Sequence, residues 1–254
     1  MTTYELKACP IGTVPVPGWE CFFGRNDTTL HDLTFYVWIV RGGGLVGLID
    51  AGLPIEPADL RLLDGANQKV DERCVYSDVV LLGDLLERER LRPADIDFVA
   101  ITQPITYHTG GLLPQYFPRA HVWMSRAGVM EFLLDNVGHP PREFYFTTAT
   151  WAFLRQLLVE DRLHLVDAET EIAPGLIFET TGGHHPGSAA LRIPTKEGVV
   201  GILETAFLQA NIDNIHPIGV AEDTAACRRA IKRYKTICDM VVADHEPANR
   251  KRFP

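Results

Sequence analysis

Nowhere in this chain does an apolar run approach the roughly 20 residues that a membrane-crossing helix needs. Cysteine is sparse and badly spaced for bridging. Cys9, Cys21, Cys74, Cys227 and Cys238 are odd in number and include no CxxC pair, which points to reduced thiols in a bacterial-type cytosol, used mostly as small hydrophobes. Positive charge is also short. Twenty-four Lys and Arg face 33 Asp and Glu, a formal net charge of −9, which argues against nucleic acid or an anionic membrane as the main partner. The opening residues, MTTYELKACPIG, lack the basic-then-apolar layout of a signal peptide, so a cytoplasmic protein is expected.

What is there is ordinary for a folded enzyme. With 254 residues, 46% of them hydrophobic and 22% charged, the chain can bury a large core without disulfides. No repeat, low-complexity tract or linker divides it, so one α/β domain spanning residues 1–254 is expected.

Two β-rich runs, Thr34–Arg41 and Leu45–Asp50, flank Gly42-Gly43-Gly44 and read as a hairpin. Asp50 closes the second run, where it either caps a turn or projects into a site. A helix is expected over Val79–Glu89, then a short buried strand of Ile96, Phe98, Val99, Ala100 and Ile101. Further strands are RAHVWMS (Arg119–Ser125), LHLVD, VVGILET and MVVADHEP; further helices are RAGVMEFLLDN, WAFLRQLLVEDR and TAACRRAIKRYKTIC. The stretch EIAPGLIFETTGGHHPGSAALRIPT reads as a strand, a loop with two histidines, and a strand. An aromatic insert at 139–146, with Trp123 and Trp151 around it, serves equally as pocket wall, core or dimer contact.

Of nine histidines, His31, His121, His139, His164 and His216 stand singly and suit surface or capping roles. His108, His184 and His245 each follow a strand in a short Gly- or Pro-marked loop, and Glu204 follows VVGIL in the same way. Strand ends on one side of a sheet converge, and three imidazoles with one carboxylate suit Zn²⁺, Fe²⁺ or Mn²⁺.

The order of these segments resembles the metallo-β-lactamase superfamily, and within it the N-acyl homoserine lactonase branch. GLVGLIDAGLP is similar to the early strand ending in Asp-x-Gly. DIDFVAITQPITYHTGGL is similar to the segment carrying Thr-His-x-His-x-Asp-His-x-Gly-Gly. TTGGHHPGSAAL resembles the Gly-His loop, ILETAFLQANIDNIHPIGV the segment of the metal-bridging Asp, and VVADHEPANRKRFP the closing stretch. The resemblance implies an αββα sandwich, a metal-dependent hydrolase and a small-molecule substrate, with a homodimer left open.

The departures concern the metal ligands. Set on the family pattern, the first two histidines are Gln103 and Ile105, the Asp is Tyr107, and His108 alone is kept; the bridging Asp is Glu204. A Tyr expected three residues after it is Phe207. An Ile cannot ligate and a Gln amide is a poor zinc ligand, so a dinuclear centre is not expected. What remains is one mononuclear 3-His/1-Glu centre of His108, His184, Glu204 and His245, holding one divalent ion (Zn, Fe or Mn). Tyr107 and His185 stand as catalytic candidates, and Asp50, Gln103, Ile105 and Phe207 as pocket residues. Three functions follow: a hydrolase of a small lactone or ester; a non-hydrolytic metalloenzyme (an Fe-dependent oxygenase, lyase or isomerase) on an aromatic or polyketide-like substrate; or a metal-free ligand-binding relic.

Overall fold

The computed structural model describes residues 2–134 and 144–254. The chain runs β1 (Glu5–Pro17), α1 (Gly18–Cys21), β2 (Leu30–Gly42), β3 (Leu45–Ile49), α2 (Pro57–Val70), α3 (Leu82–Arg88), β4 (Phe98–Ala100) and α4 (Thr106–Thr109). It continues with β5 (His121–Ser125), α5 (Arg126–Leu134), α6 (Thr148–Val159), β6 (Leu163–Val166), β7 (Glu169–Ala173) and β8 (Leu176–Thr180). The rest is β9 (Ala189–Thr195), β10 (Gly198–Leu203), α7 (Gln209–Asp213), α8 (Thr224–Ile237), β11 (Met240–Ala243) and α9 (Asn249–Arg252).

Two sheets result, ordered β1-β2-β3-β4-β5-β6 and β11-β10-β9-β8-β7. Strand β2 shows why they stack. Its side chains alternate faces with period two, and both sets are apolar. Phe35, Val37 and Ile39 join one core with α2, α3, α5 and α6, while Tyr36, Trp38 and Val40 join a second core against the other sheet. That second core takes Phe178, Leu191, Ile202 and Val242 from the five-stranded sheet. The outer face of that sheet is covered through Leu203, Ala243 and the α8 residues Ile231 and Tyr234. The layers are therefore helix, sheet, sheet, helix: the expected αββα sandwich.

Strands β3 and β4 are parallel, as are β10 and β11, so their C-terminal ends open on one edge of the sandwich. Cross-sheet hydrogen bonds tie that edge: Ala189 N donates to Thr102 O at 2.7 Å, and Thr34 N to His245 O at 3.0 Å.

The sequence expectations change in several places. The helix expected over Val79–Glu89 is only Leu82–Arg88, because Val80 N is taken by Ile11 O at 2.9 Å and stays extended. The helix expected from Trp151 starts earlier, at Thr148, where the Thr147 hydroxyl accepts from Thr150 N at 3.1 Å. The strand expected at EIAPGLIFET is two, β7 and β8, folded back through Pro174 and a positive-φ Gly175. His121 and His164 do not stand singly: they pair across β5 and β6, ring nitrogens 2.7 Å apart. Trp123 stacks on His164, at 4.1 Å between centroids, while Trp151 packs on Phe132 and Phe146. His139, Pro140 and Pro141 lie outside the described residues.

The Gly pair after His108 is a packing requirement. A Cβ on Gly110 would lie 2.1 Å from Pro54 N, and one on Gly111 2.2 Å from Ala51 O. Both neighbours are backbone and cannot move aside cheaply. Gly111→Ala is therefore expected to destabilise the chain by about 2–3 kcal/mol in urea unfolding; a change below about 0.5 kcal/mol would contradict this packing.

Candidate active site

Asp50 directly follows β3 with a positive φ of 63°, a conformation that Asp tolerates better than most residues. Its carboxylate is buried and fully used. Thr102 N donates to Oδ1 at 2.8 Å, Thr102 Oγ1 to Oδ2 at 2.8 Å, and His108 Nδ1 lies 2.8 Å from Oδ2. The turn cap and the site residue are thus the same side chain. Burial would lower the His108 pKa, but the Asp50 carboxylate outweighs it and holds the imidazole up at about 9.

Behind this pair stands Asp244, which the sequence reading passed over. Trp38 Nε1 donates to its Oδ1 at 3.1 Å, and Thr102 Oγ1 is 3.5 Å from its Oδ2. Burial, and then the Asp50 charge, pushes its carboxyl up to about 7. The neighbouring His245 packs its ring 4.3 Å from Phe35 and 5.4 Å from His108. Burial and the positive His108 lower it to about 3; its Nδ1 is buried without a partner.

His184 comes from the loop between β8 and β9. Gly183, at φ 100°, allows that loop to press on Cys227, whose backbone N would lie 2.9 Å from a Cβ there. His184 Nδ1 makes a very short contact with Glu204 Oε1, from the end of β10. Burial would raise the Glu204 carboxyl, but His184 and His108 beside it hold it down at about 2, while burial lowers His184. A carboxylate facing a neutral imidazole places the proton on Nδ1 and leaves Nε2 as the basic nitrogen.

Phe207 packs against both halves. Its ring is edge-on to His184 at 5.0 Å and to His245 at 5.4 Å. His108, His184, His245, Phe207, Tyr107 and Gln103 all line one cavity of about 140 Å³, with Phe35, Asn67 and Tyr76 in the same wall. Tyr107 OH donates to Asn67 Oδ1 at 3.3 Å, and burial raises its pKa, so it stays protonated. Ile105 starts α4 and lines a smaller cleft with Gln103, Glu131, Tyr145 and His185. His185 therefore faces away from the main cavity: its Nδ1 is 2.9 Å from Glu222 Oε1 and 3.8 Å from Glu131 Oε1.

Among the described residues, two groups bring donor atoms within 4.8 Å of one another: His108, Asp244 and His245, and Glu131, His185 and Glu222. Of the four expected ligands His108, His184 and His245 line the cavity, while Glu204 is buried against His184 Nδ1 and Phe207 packs edge-on against both His184 and His245. Gln103, Ile105 and Tyr107 stand where the family pattern has ligands, and His108, Asp244 and His245 are a group whose donor atoms lie close enough together to hold an ion. Asp244 was legible in VVADHEP as a second strand-end carboxylate of the Asp50 kind; Phe35, Asn67 and Tyr76 gave no such signal.

The chain has the fold of solved N-acyl homoserine lactonases and of a hydrolase of the beta-lactamase superfamily. An N-acyl homoserine lactone hydrolase with N-hexanoyl-L-homoserine at its catalytic metal centre superposes with a TM-score of 0.76 at 17% identity, over 99% of this chain and 97% of that one. A quorum-quenching N-acyl homoserine lactone lactonase matches with a TM-score of 0.75 at 16% identity, over 99% and 96%. A probable metal-dependent hydrolase from Staphylococcus aureus matches with 0.70 at 17%, over 96% and 89%. No protein-family model matches the sequence, and no curated protein does. No helix among the described residues is long and apolar enough to cross a membrane.

Proposed function

We propose that the chain is a metal-dependent hydrolase of a small lactone, ester or related carbonyl compound, working with one divalent ion (Zn, Fe or Mn) where its fold relatives include two-metal enzymes. The observation that carries this is the cavity itself: three histidines line it, and two of them are anchored at Nδ1 by buried carboxylates, as metal-site and catalytic imidazoles commonly are. His108, Asp244 and His245 would hold the ion, in place of the 3-His/1-Glu set that the sequence suggests. Bound there, an ion supplies Lewis acidity and a water of lowered pKa.

The protein's own groups do the rest. Glu204 fixes the His184 tautomer, and His184 Nε2 takes up a proton at the cavity wall. Phe35, Phe207 and Tyr107 keep that wall dry. Tyr107 offers its hydroxyl only as a hydrogen-bond donor.

Two imidazoles and one carboxylate also make the ligand set of non-haem iron oxygenases. That gives the second reading, an Fe-dependent oxygenase. Metal analysis of protein made without a His tag, followed by assays on acyl homoserine lactones, simple lactones and aryl esters, separates the two. About one ion per chain is expected, falling to background in His108→Ala and His245→Ala. Zinc with lactone or ester cleavage supports the hydrolase; iron with O₂ uptake supports the oxygenase. Stoichiometry far below one, unmoved by either substitution, sinks both.

A further inference from the structure

Buried polar atoms normally have partners, yet besides His245 Nδ1, on a ring that would hold the ion, the cavity wall has three side-chain donors with none among the described residues: Asn67 Nδ2, Tyr76 OH and Gln103 Nε2. Gln103 is 3% exposed and Tyr76 8%, so bulk water does not serve them. For Asn67 the Tyr107 hydroxyl occupies Oδ1, which leaves the Nδ2 end free. The three come from separate places: helix α2, the segment before α3, and the loop after β4. Local turn chemistry does not explain why all three unpaired donors meet at one cavity.

The remaining wall says what kind of acceptor they await. It is aromatic: Phe35 lies 5.5 Å from Tyr76 and 5.7 Å from Tyr107, and Tyr76 lies 6.3 Å from Tyr107. Neither Lys nor Arg lines it, whereas Glu20 does. Neutral donors at this end of the wall suit an uncharged acceptor, and flat ring faces favour a planar partner. Resting on the reading of this cavity as the substrate site, we infer that Asn67, Tyr76 and Gln103 form a donor set that recognises the acceptor oxygen of a neutral aromatic carbonyl compound.

The probes are 1-tetralone and tetralin, which share one bicyclic frame and differ by the carbonyl oxygen. A ketone is not hydrolysed, so binding is read apart from turnover. By calorimetry, 1-tetralone is expected to bind the wild-type protein about tenfold more tightly than tetralin, the scale of one to two neutral hydrogen bonds. Gln103→Leu and Tyr76→Phe are each expected to shrink that ratio severalfold while leaving tetralin affinity within about twofold. Equal affinities in the wild type, or a ratio unchanged in both variants, overturn the inference. Thermal unfolding gives the second reading. Each substitution removes an unpaired buried donor, so Tm is expected to hold or rise by about 2–4 °C; a fall of several degrees in both marks the side chains as structural and overturns it. Lactone turnover without ketone preference would sink this inference alone, and ketone preference without any hydrolysis would sink the hydrolase reading alone.

Discussion

Replacing Asp50 with alanine is expected to lower stability by about 3–5 kcal/mol, read as a lower urea midpoint at unchanged slope. The carboxylate is 1% exposed and holds three groups at once: Thr102 N, Thr102 Oγ1 and His108 Nδ1. Alanine leaves all three without that acceptor, and His108, whose raised pKa depends on Asp50, loses its proton and with it the buried ion pair. Breaking a buried pair by removing one partner is costly for this reason, even where the intact pair adds little. The backbone adds a smaller penalty, since alanine tolerates the φ of 63° less well than aspartate. Asp50→Asn separates the contributions. It keeps the shape and the backbone preference but loses the charge, and is expected to cost about half as much. A loss below about 1 kcal/mol for the alanine variant would mean that Asp50 does not organise the site floor.

Much of this arrangement was open to inspection in the sequence, and for a physical reason. Strands betray themselves by period-two apolar runs, and a polar residue just after such a run sits at a sheet edge. Asp50, His108, His184, Glu204 and His245 all obey that rule, and all five are found at the same edge of the sandwich. What the rule does not carry is side-chain direction. His184 turns its Nδ1 to Glu204, and Phe207 packs edge-on against both His184 and His245; neither follows from spacing. Asp244 obeys the strand-end rule as well, but its partner does not follow from it. It lies next to His245 in the chain and is committed to Trp38, a residue 206 positions away. The strand β1 and helix α2 also escaped notice. The helix α2 buries only Leu63, so it has little apolar stripe to announce it, yet it supplies Asn67 to the cavity.

Glu204→Gln is expected to reduce turnover by about 10²- to 10³-fold with little change in KM, and to leave the metal content of the protein unchanged. The split follows from where the carboxylate sits. Glu204 is fully buried and lies against His184 Nδ1, where it fixes which ring nitrogen carries the proton and stabilises the cation formed when Nε2 takes another. An amide keeps the shape but not the charge, and its NH₂ end favours the opposite tautomer; proton-transfer groups that lose such a partner commonly fall by this factor or more. His184→Gln is expected to fall as far, and the double variant no further, because the two side chains act as one unit. The metal readout decides the role. If Glu204 instead reached an ion shared with His108 and His245, the amide would weaken binding and the metal would fall together with activity. Loss of metal in Glu204→Gln would therefore restore the 3-His/1-Glu centre that the sequence suggests, and metal retained with turnover lost would assign Glu204 to positioning His184.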